Sequence, residues 1–254
     1  MAGIFSGGVS AAPGQALSGV DDEVRAILGR LTERDVPAVV SWDARFRSLI
    51  SVASLTALGD ETVLEAVLAA ALKENVTPVE LREAAVQAMA YAGLPASIRA
   101  LGVLEGVCTK NGVTAPLPPS GTVTDENRFD RGVAVQTDIF GEAIAAMHKS
   151  AAPDEKPLMV DLLSGYCFGD TYTRKDLTLK ERELLTFVVI ASLGGCDPQV
   201  KAHVNGCRRL GYTKKELLDT IAVMLPFIGF PKTLNALAAV NAVMPKAAAE
   251  AGQS

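Results

Sequence analysis

The chain is 254 residues long, 49% apolar, 21% charged and only 5% aromatic, with a net charge of −5. That acidic balance argues against nucleic acid or an anionic membrane surface as a partner. The most apolar run, Leu184 to Leu193, is ten residues long, well short of the roughly 20 that a membrane-spanning helix needs.

Met1 to Val20 is small and glycine-rich, without the basic start and unbroken apolar run of a secretory leader, and reads as an N-terminal extension. Asp21 to Arg34 sets Val24, Ile27, Leu28 and Leu31 at a helical period. Arg45 to Leu58 is an apolar helix ending at Gly59, and Glu61 to Glu74 is the next. Thr77-Pro-Val-Glu80 is a helix start: threonine caps, proline takes the first helical position, and the glutamate completes a capping box. Gly93-Leu-Pro95 breaks one helix and begins another. Thr109 to Arg131 holds Pro116, Pro118, Pro119 and Gly121 and reads as a linker. Asp138 to Ser150 is predicted as one amphipathic helix, and Pro157 to Phe168 leads into the main helices that follow. Glu183 lies near the start of a helix running to Gly194; Gly194-Gly195 turns the chain, and Asp197-Pro198 opens the next helix. No window alternates with period two for long enough to argue a sheet, so the predicted fold class is all-α.

The chain contains itself twice. Shifted by 136 positions, residues 49–107 fall on 185–243 without a gap, with 12 identities in 59 pairs. The shared signposts are Thr77, Glu80, Leu81, Gly93 and Pro95 in one copy and Thr213, Glu216, Leu217, Gly229 and Pro231 in the other. The expected organisation is an extension (1–20), a first repeat (21–108), a linker (109–132), a second repeat (133–244) and a tail (245–254). The copies differ where chemistry could sit. Glu183, Cys196 and His203 of the second stand opposite Arg47, Asp60 and Val67 of the first, so one active site per chain is expected.

Helical rise places Glu183 and His203 at similar height above the Gly194-Gly195 turn, so in an antiparallel pair their side chains could meet. A carboxylate beside an imidazole fixes its tautomer and forms a general acid/base pair. Cys196, seven residues before His203, lies too far along the axis for direct pairing, but a helix N-terminus could lower its thiol pKa. Gln199, one turn before His203, offers hydrogen bonds without redox chemistry. Each residue has a plainer alternative. A lone helical histidine is ordinarily a satisfied core residue, Cys196 can be a packed small hydrophobe, and Glu183 can simply favour the helix dipole. Cys108, Cys167 and Cys207 read as buried packing residues and His148 is given no function. The four cysteines form neither CxxC nor a zinc pattern, so reduced thiols in a cytoplasmic protein are expected, with no metal.

Leu177-Thr-Leu-Lys-Glu-Arg-Glu-Leu-Leu, then Gly194-Gly-Cys-Asp-Pro-Gln-Val-Lys-Ala-His203, then Gly211-Tyr-Thr-Lys-Lys-Glu216 and Gly229-Phe-Pro231 resemble the carboxymuconolactone decarboxylase family, whose wider superfamily includes the AhpD-type alkylhydroperoxidases. The resemblance spans most of Val133 to Val243, with a weaker copy at about Asp22 to Val107. It implies an AhpD-like helical bundle in two tandem copies, assembled as a homotrimer that mimics a hexamer of single-domain subunits. It also implies one of two chemistries. Decarboxylase members remove CO2 from a lactone carboxylate without metal or organic cofactor. Peroxidase members use a CxxC pair, with a histidine four residues after the second cysteine and a glutamate upstream. Here Cys196 falls at the first cysteine and Gln199 replaces the second, so a CxxC disulfide cycle cannot operate.

The leading expectation is a carbon–carbon lyase acting on a small anionic lactone or keto acid. His203 would move the proton, Glu183 would orient it, Cys196 would line the pocket or polarise the substrate, and Gln199 and Phe168 would contact the substrate. One alternative is a one-cysteine peroxidase or thiol–disulfide oxidoreductase using Cys196. Another is an inactive helical assembly or ligand-binding protein.

Overall fold

The structure, a computed structural model, describes residues 20–245. The N-terminal extension before Val20 and the tail beyond Pro245 lie outside the described residues. No strand occurs among the described residues, in agreement with the all-α expectation. Helix α1 (Asp22–Gly29) passes through a wide π-type segment, Arg30–Asp35, into the short α2 (Val36–Val39). The first copy is built from α3 (Ala44–Leu58), α4 (Glu61–Lys73), α5 (Pro78–Gln87), α6 (Met89–Ala92) and α7 (Leu94–Lys110). Three helices then intervene: α8 (Arg128–Phe140), α9 (Ala143–Ser150) and the π-type α10 (Pro157–Tyr172). The second copy follows as α11 (Leu179–Leu193), α12 (Asp197–Arg209) and α13 (Lys214–Val243).

The repeat in sequence is a repeat in space. Helices α4 and α12 start and stop at the same repeat positions. Thr77 and Thr213 each accept from the backbone N–H of the glutamate three residues on, which reaches back in turn. That pairing satisfies orphan donors at both helix starts. Gly93 (φ 84°) and Gly229 (φ 68°) break both copies at one point, in a region that costs other residues strain.

The intervening region differs from the sequence reading. The helix predicted over Asp138 to Ser150 is two helices, because Gly141 (φ 69°, ψ −147°) ends α8. Helix α8 itself starts at Arg128, inside the predicted linker. It is held by a long-range fit that local pattern does not carry: a Cβ on Gly132 would collide with the Ser164 carbonyl of α10. Helix α10 runs on to Tyr172, four residues past the expected Phe168, and this extension carries a tyrosine into the interior.

The main core joins both copies: Leu49, Leu64, Leu81 and Leu104 share one cluster with Leu185, Phe187, Leu217 and Met224. Helices α3 and α11, equivalent in the repeat, pack on each other. There Arg45 donates to Glu181, 2.6 Å away, and the two residues hold the same repeat position. Arg45 also pairs with Glu80. Helix α13 is long and apolar enough to cross a membrane by length and composition alone, although it is not the most apolar run of the sequence. In the bundle it bends at Gly229 and packs against α3, α11 and α12.

Candidate active site

Two helices deliver the central pair. Helix α11 starts at Thr178, whose hydroxyl accepts from the Glu181 backbone while Glu181 returns the bond. Two residues later the chain presents Glu183, fully buried. Helix α12 starts with Cys196 at the cap and Pro198 in its first turn, and His203 follows on the face turned to α11. The Nδ1 of His203 lies 2.9 Å from Oε1 of Glu183, as the matched helix heights predict. His203 is only 7% exposed. Its ring meets Tyr91 edge-on at 5.7 Å and Phe140 at 5.5 Å. Its Nε2 takes no hydrogen bond from the described residues.

The close approach of the helices depends on Gly206. A Cβ there would run into Oε1 of Glu183 and would lie 2.8 Å from a methyl of Ile139. Glycine in a helix interior costs roughly 1 kcal/mol against alanine, and here its missing side chain makes room for the carboxylate.

The other oxygen of Glu183 meets residues that the sequence reading did not place there. Tyr172 donates to Oε2 at 2.8 Å, and its oxygen is 2.6 Å from the Thr186 hydroxyl. Gln87 donates to Thr186 at 3.0 Å and accepts from Nη1 of Arg182 at 3.0 Å. Tyr91 reaches the Tyr172 oxygen at 3.3 Å, and the Cys167 thiol donates to Tyr91. Arg182 is fully buried against Glu83, which also accepts from Arg174. Burial, aided by the Glu183 charge, holds both phenols well above the ordinary tyrosine value, so they remain proton donors. Gln87 and Tyr91 come from the first copy, whose repeat positions are Val223 and Phe227 in the second. A signal was therefore present: Gln87 is polar where its counterpart is apolar, and Thr186 stands opposite Ile50.

The remaining expected site residues are distributed unevenly. Phe168 is buried, stacks on Tyr172 at 4.8 Å and meets Phe140 edge-on at 6.0 Å, so it backs the rings around His203. Cys196 is partly buried at the α12 cap, its thiol 3.5 Å from the Gly194 carbonyl, and makes no bond to His203. Gln199 is exposed and stays outside the hydrogen-bonded group. Burial pushes the Cys167 thiol up to about 12. It also raises Cys207 well above its usual value, with the Glu183 charge adding to the effect. Neither is a thiolate near neutral pH. Among the described residues no three His, Cys, Asp or Glu side chains gather in a way that could hold a metal ion.

The pattern of the Carboxymuconolactone decarboxylase family matches this chain twice, over residues 23–106 and 157–242. The chain belongs to that family. A 4-carboxymuconolactone decarboxylase from Acinetobacter baylyi is 27% identical over 115 residues, covering 45% of this chain and 85% of the relative. A nitrosuccinic acid decarboxylase from Metarhizium robertsii is 26% identical over 110 residues, covering 43% and 76%. A solved chain described as a candidate gamma-carboxymuconolactone decarboxylase subunit, from Burkholderia xenovorans LB400, shares the fold. Its TM-score is 0.53 at 19% identity, with 94% of this chain and 93% of that one covered. The first matched stretch runs from α1 into α7 and the second from α10 through α13, and the Glu183–His203 pair lies in the second.

Proposed function

We propose that this decarboxylase-family chain is a carbon–carbon lyase that removes CO2 from a small anionic lactone or keto acid without a resident metal or organic cofactor. The observation that carries the reading is the buried Glu183–His203 pair with Nε2 unengaged by the described residues. Glu183 accepts from Nδ1 and fixes the tautomer, which leaves Nε2 to take a proton from the substrate or deliver one. The substrate's own carbonyl or enol system serves as the electron sink. Tyr91 and Phe140 meet the imidazole edge-on and shield it from water, Phe168 packs behind them, and Cys196 and Gln199 lie at the start of α12. The test is loss of γ-carboxymuconolactone with CO2 release, wild type against His203→Gln. Turnover that vanishes in the variant while the fold and oligomer persist supports the reading, and near-normal turnover in the variant overturns it.

A one-cysteine peroxidase is the second reading, favoured by Cys196 being the one described cysteine that is not fully buried. Alkylation of Cys196 as a function of pH tests it: a thiol titrating near the free value of about 8.5 argues against this use.

The assembly we propose is a homotrimer, in a cytoplasmic setting that suits four free thiols. Leu94 and Ile98 are 58% exposed, and Phe230 and Leu234, at the same positions of the second copy, are 65% and 55% exposed. Large apolar side chains left open twice at one place in the repeat favour contact with another copy of the chain.

A further inference from the structure

The hydrogen bonds behind Glu183 can run in only one direction. Arginine donates and never accepts, so Arg182 fixes the amide of Gln87, its oxygen toward the guanidinium and its NH2 toward Thr186. The Thr186 oxygen accepts that bond, which frees its own proton for the Tyr172 oxygen 2.6 Å away. Tyr172 has one proton, and the Glu183 carboxylate is a stronger acceptor than a hydroxyl. Tyr91, which accepts from the Cys167 thiol, donates to Tyr172 as well. Every donor points toward Glu183. Arg182 and Glu183 are neighbours in sequence, yet they are linked a second time through a residue of the other copy.

We propose that the first repeat polarises the active pair of the second through the chain Arg182–Gln87–Thr186–Tyr172–Glu183, with Gln87 as a positioning residue that sets its direction. The chain keeps a proton donor on Oε2, so the carboxylate meets His203 as an acceptor and Nε2 carries the free lone pair. The first copy, which lacks Glu and His at the equivalent positions, thus has a role in the site beyond packing. The inference deepens the acid–base reading of His203, and its tests need no turnover, so they stay readable if the lyase reading fails.

The first test replaces Gln87 by glutamate, a change of nearly equal shape. A carboxylate at 87 accepts from both Arg182 and Thr186. Thr186 then turns its proton from Tyr172 to residue 87, so Tyr172 loses the donor that polarises it and its bond to Oε2 of Glu183 weakens. The readout is 15N NMR titration of the His203 ring in the full chain, whose only other histidine is His148. The titratable groups around the ring and its carboxylate are Glu183, Tyr91, Tyr172, Cys167 and Cys207, and Phe140 faces the ring from α8. Gln87→Glu is expected to move the His203 midpoint up by roughly one unit relative to wild type. In a Thr186→Val background the chain is already cut, and Gln87→Glu should add no such rise. An unchanged midpoint in Gln87→Glu, or an equal rise with Val at 186, overturns the proposal. Neutron crystallography of the wild type provides a test free of variants. Deuterons are expected on Thr186 Oγ toward Tyr172 and on Tyr172 Oη toward Glu183. A deuteron from Tyr172 toward Thr186 refutes the direction.

Discussion

Gly206 and Glu183 meet where α12 crosses α11, and the carboxylate fills the space that a Cβ on Gly206 would need. Gly206→Ala should therefore act on the proposed catalytic pair as well as on the fold. Overpacking a tight contact costs about 1–3 kcal/mol, and displacing a catalytic group by about 1 Å costs roughly 100-fold in rate. The expected variant has a lower Tm and about a 100-fold lower kcat/KM. An alanine enzyme with wild-type kinetics would show that Glu183 need not sit where it does.

Glu183→Gln keeps shape and removes charge. The amide NH2 can face Nδ1, which lets the imidazole carry its proton on Nε2 and present the wrong tautomer to substrate. We expect kcat to fall by roughly 10²–10⁴ with the far-UV spectrum intact. The comparison with His203→Gln is informative, because two residues that act as one unit lose less than additively when both are changed.

Acid should destabilise the fold through Glu83. Burial disfavours its charge, but the hydrogen bonds and charges of Arg174 and Arg182 prevail and hold the carboxyl below the ordinary glutamate value. A folded-state value below the unfolded one gives stability that is present above the unfolded value, about 4.3, and lost as pH falls through the folded one. Denaturant unfolding between pH 3 and 7 should show stability dropping at the acid end. Glu83→Gln leaves Arg182 buried beside a neutral partner and should cost about 3–5 kcal/mol at pH 7, with a shallower acid slope. A variant with the full wild-type slope would exclude Glu83 as a source of it.

Phe230→Ser with Leu234→Ser should shift the mass in solution from a trimer toward a monomer, read by light scattering on the eluting peak. The matching pair in the first copy, Leu94→Ser with Ile98→Ser, should do the same. A wild-type chain that elutes as a monomer would remove the basis for the proposed assembly.

Much of this molecule was legible in its sequence because the informative signals are local. Thr77 and Thr213 with their glutamates mark helix starts, and Gly93 and Gly229 mark breaks, each within a few residues. Glu183 and His203 could be paired because one turn separates their helices and helical rise is fixed. The donor chain behind Glu183 was not legible, because Gln87 and Thr186 stand 99 residues apart and nothing local ties them. Helix α8 was missed for a related reason: its start rests on Gly132 fitting a carbonyl of α10. Comparing the copies for polar residues opposite apolar ones would have flagged both Gln87 and Thr186.

The contact between Arg45 and Glu181 also bears on how the halves can be recombined. Because the two residues share one repeat position and touch, a protein assembled from two second copies would set glutamate against glutamate there, and one from two first copies would set arginine against arginine. Like charges at that distance repel, while the present chain holds one of each. At this contact the two halves are complementary, and either half paired with itself would exchange an attraction for a repulsion.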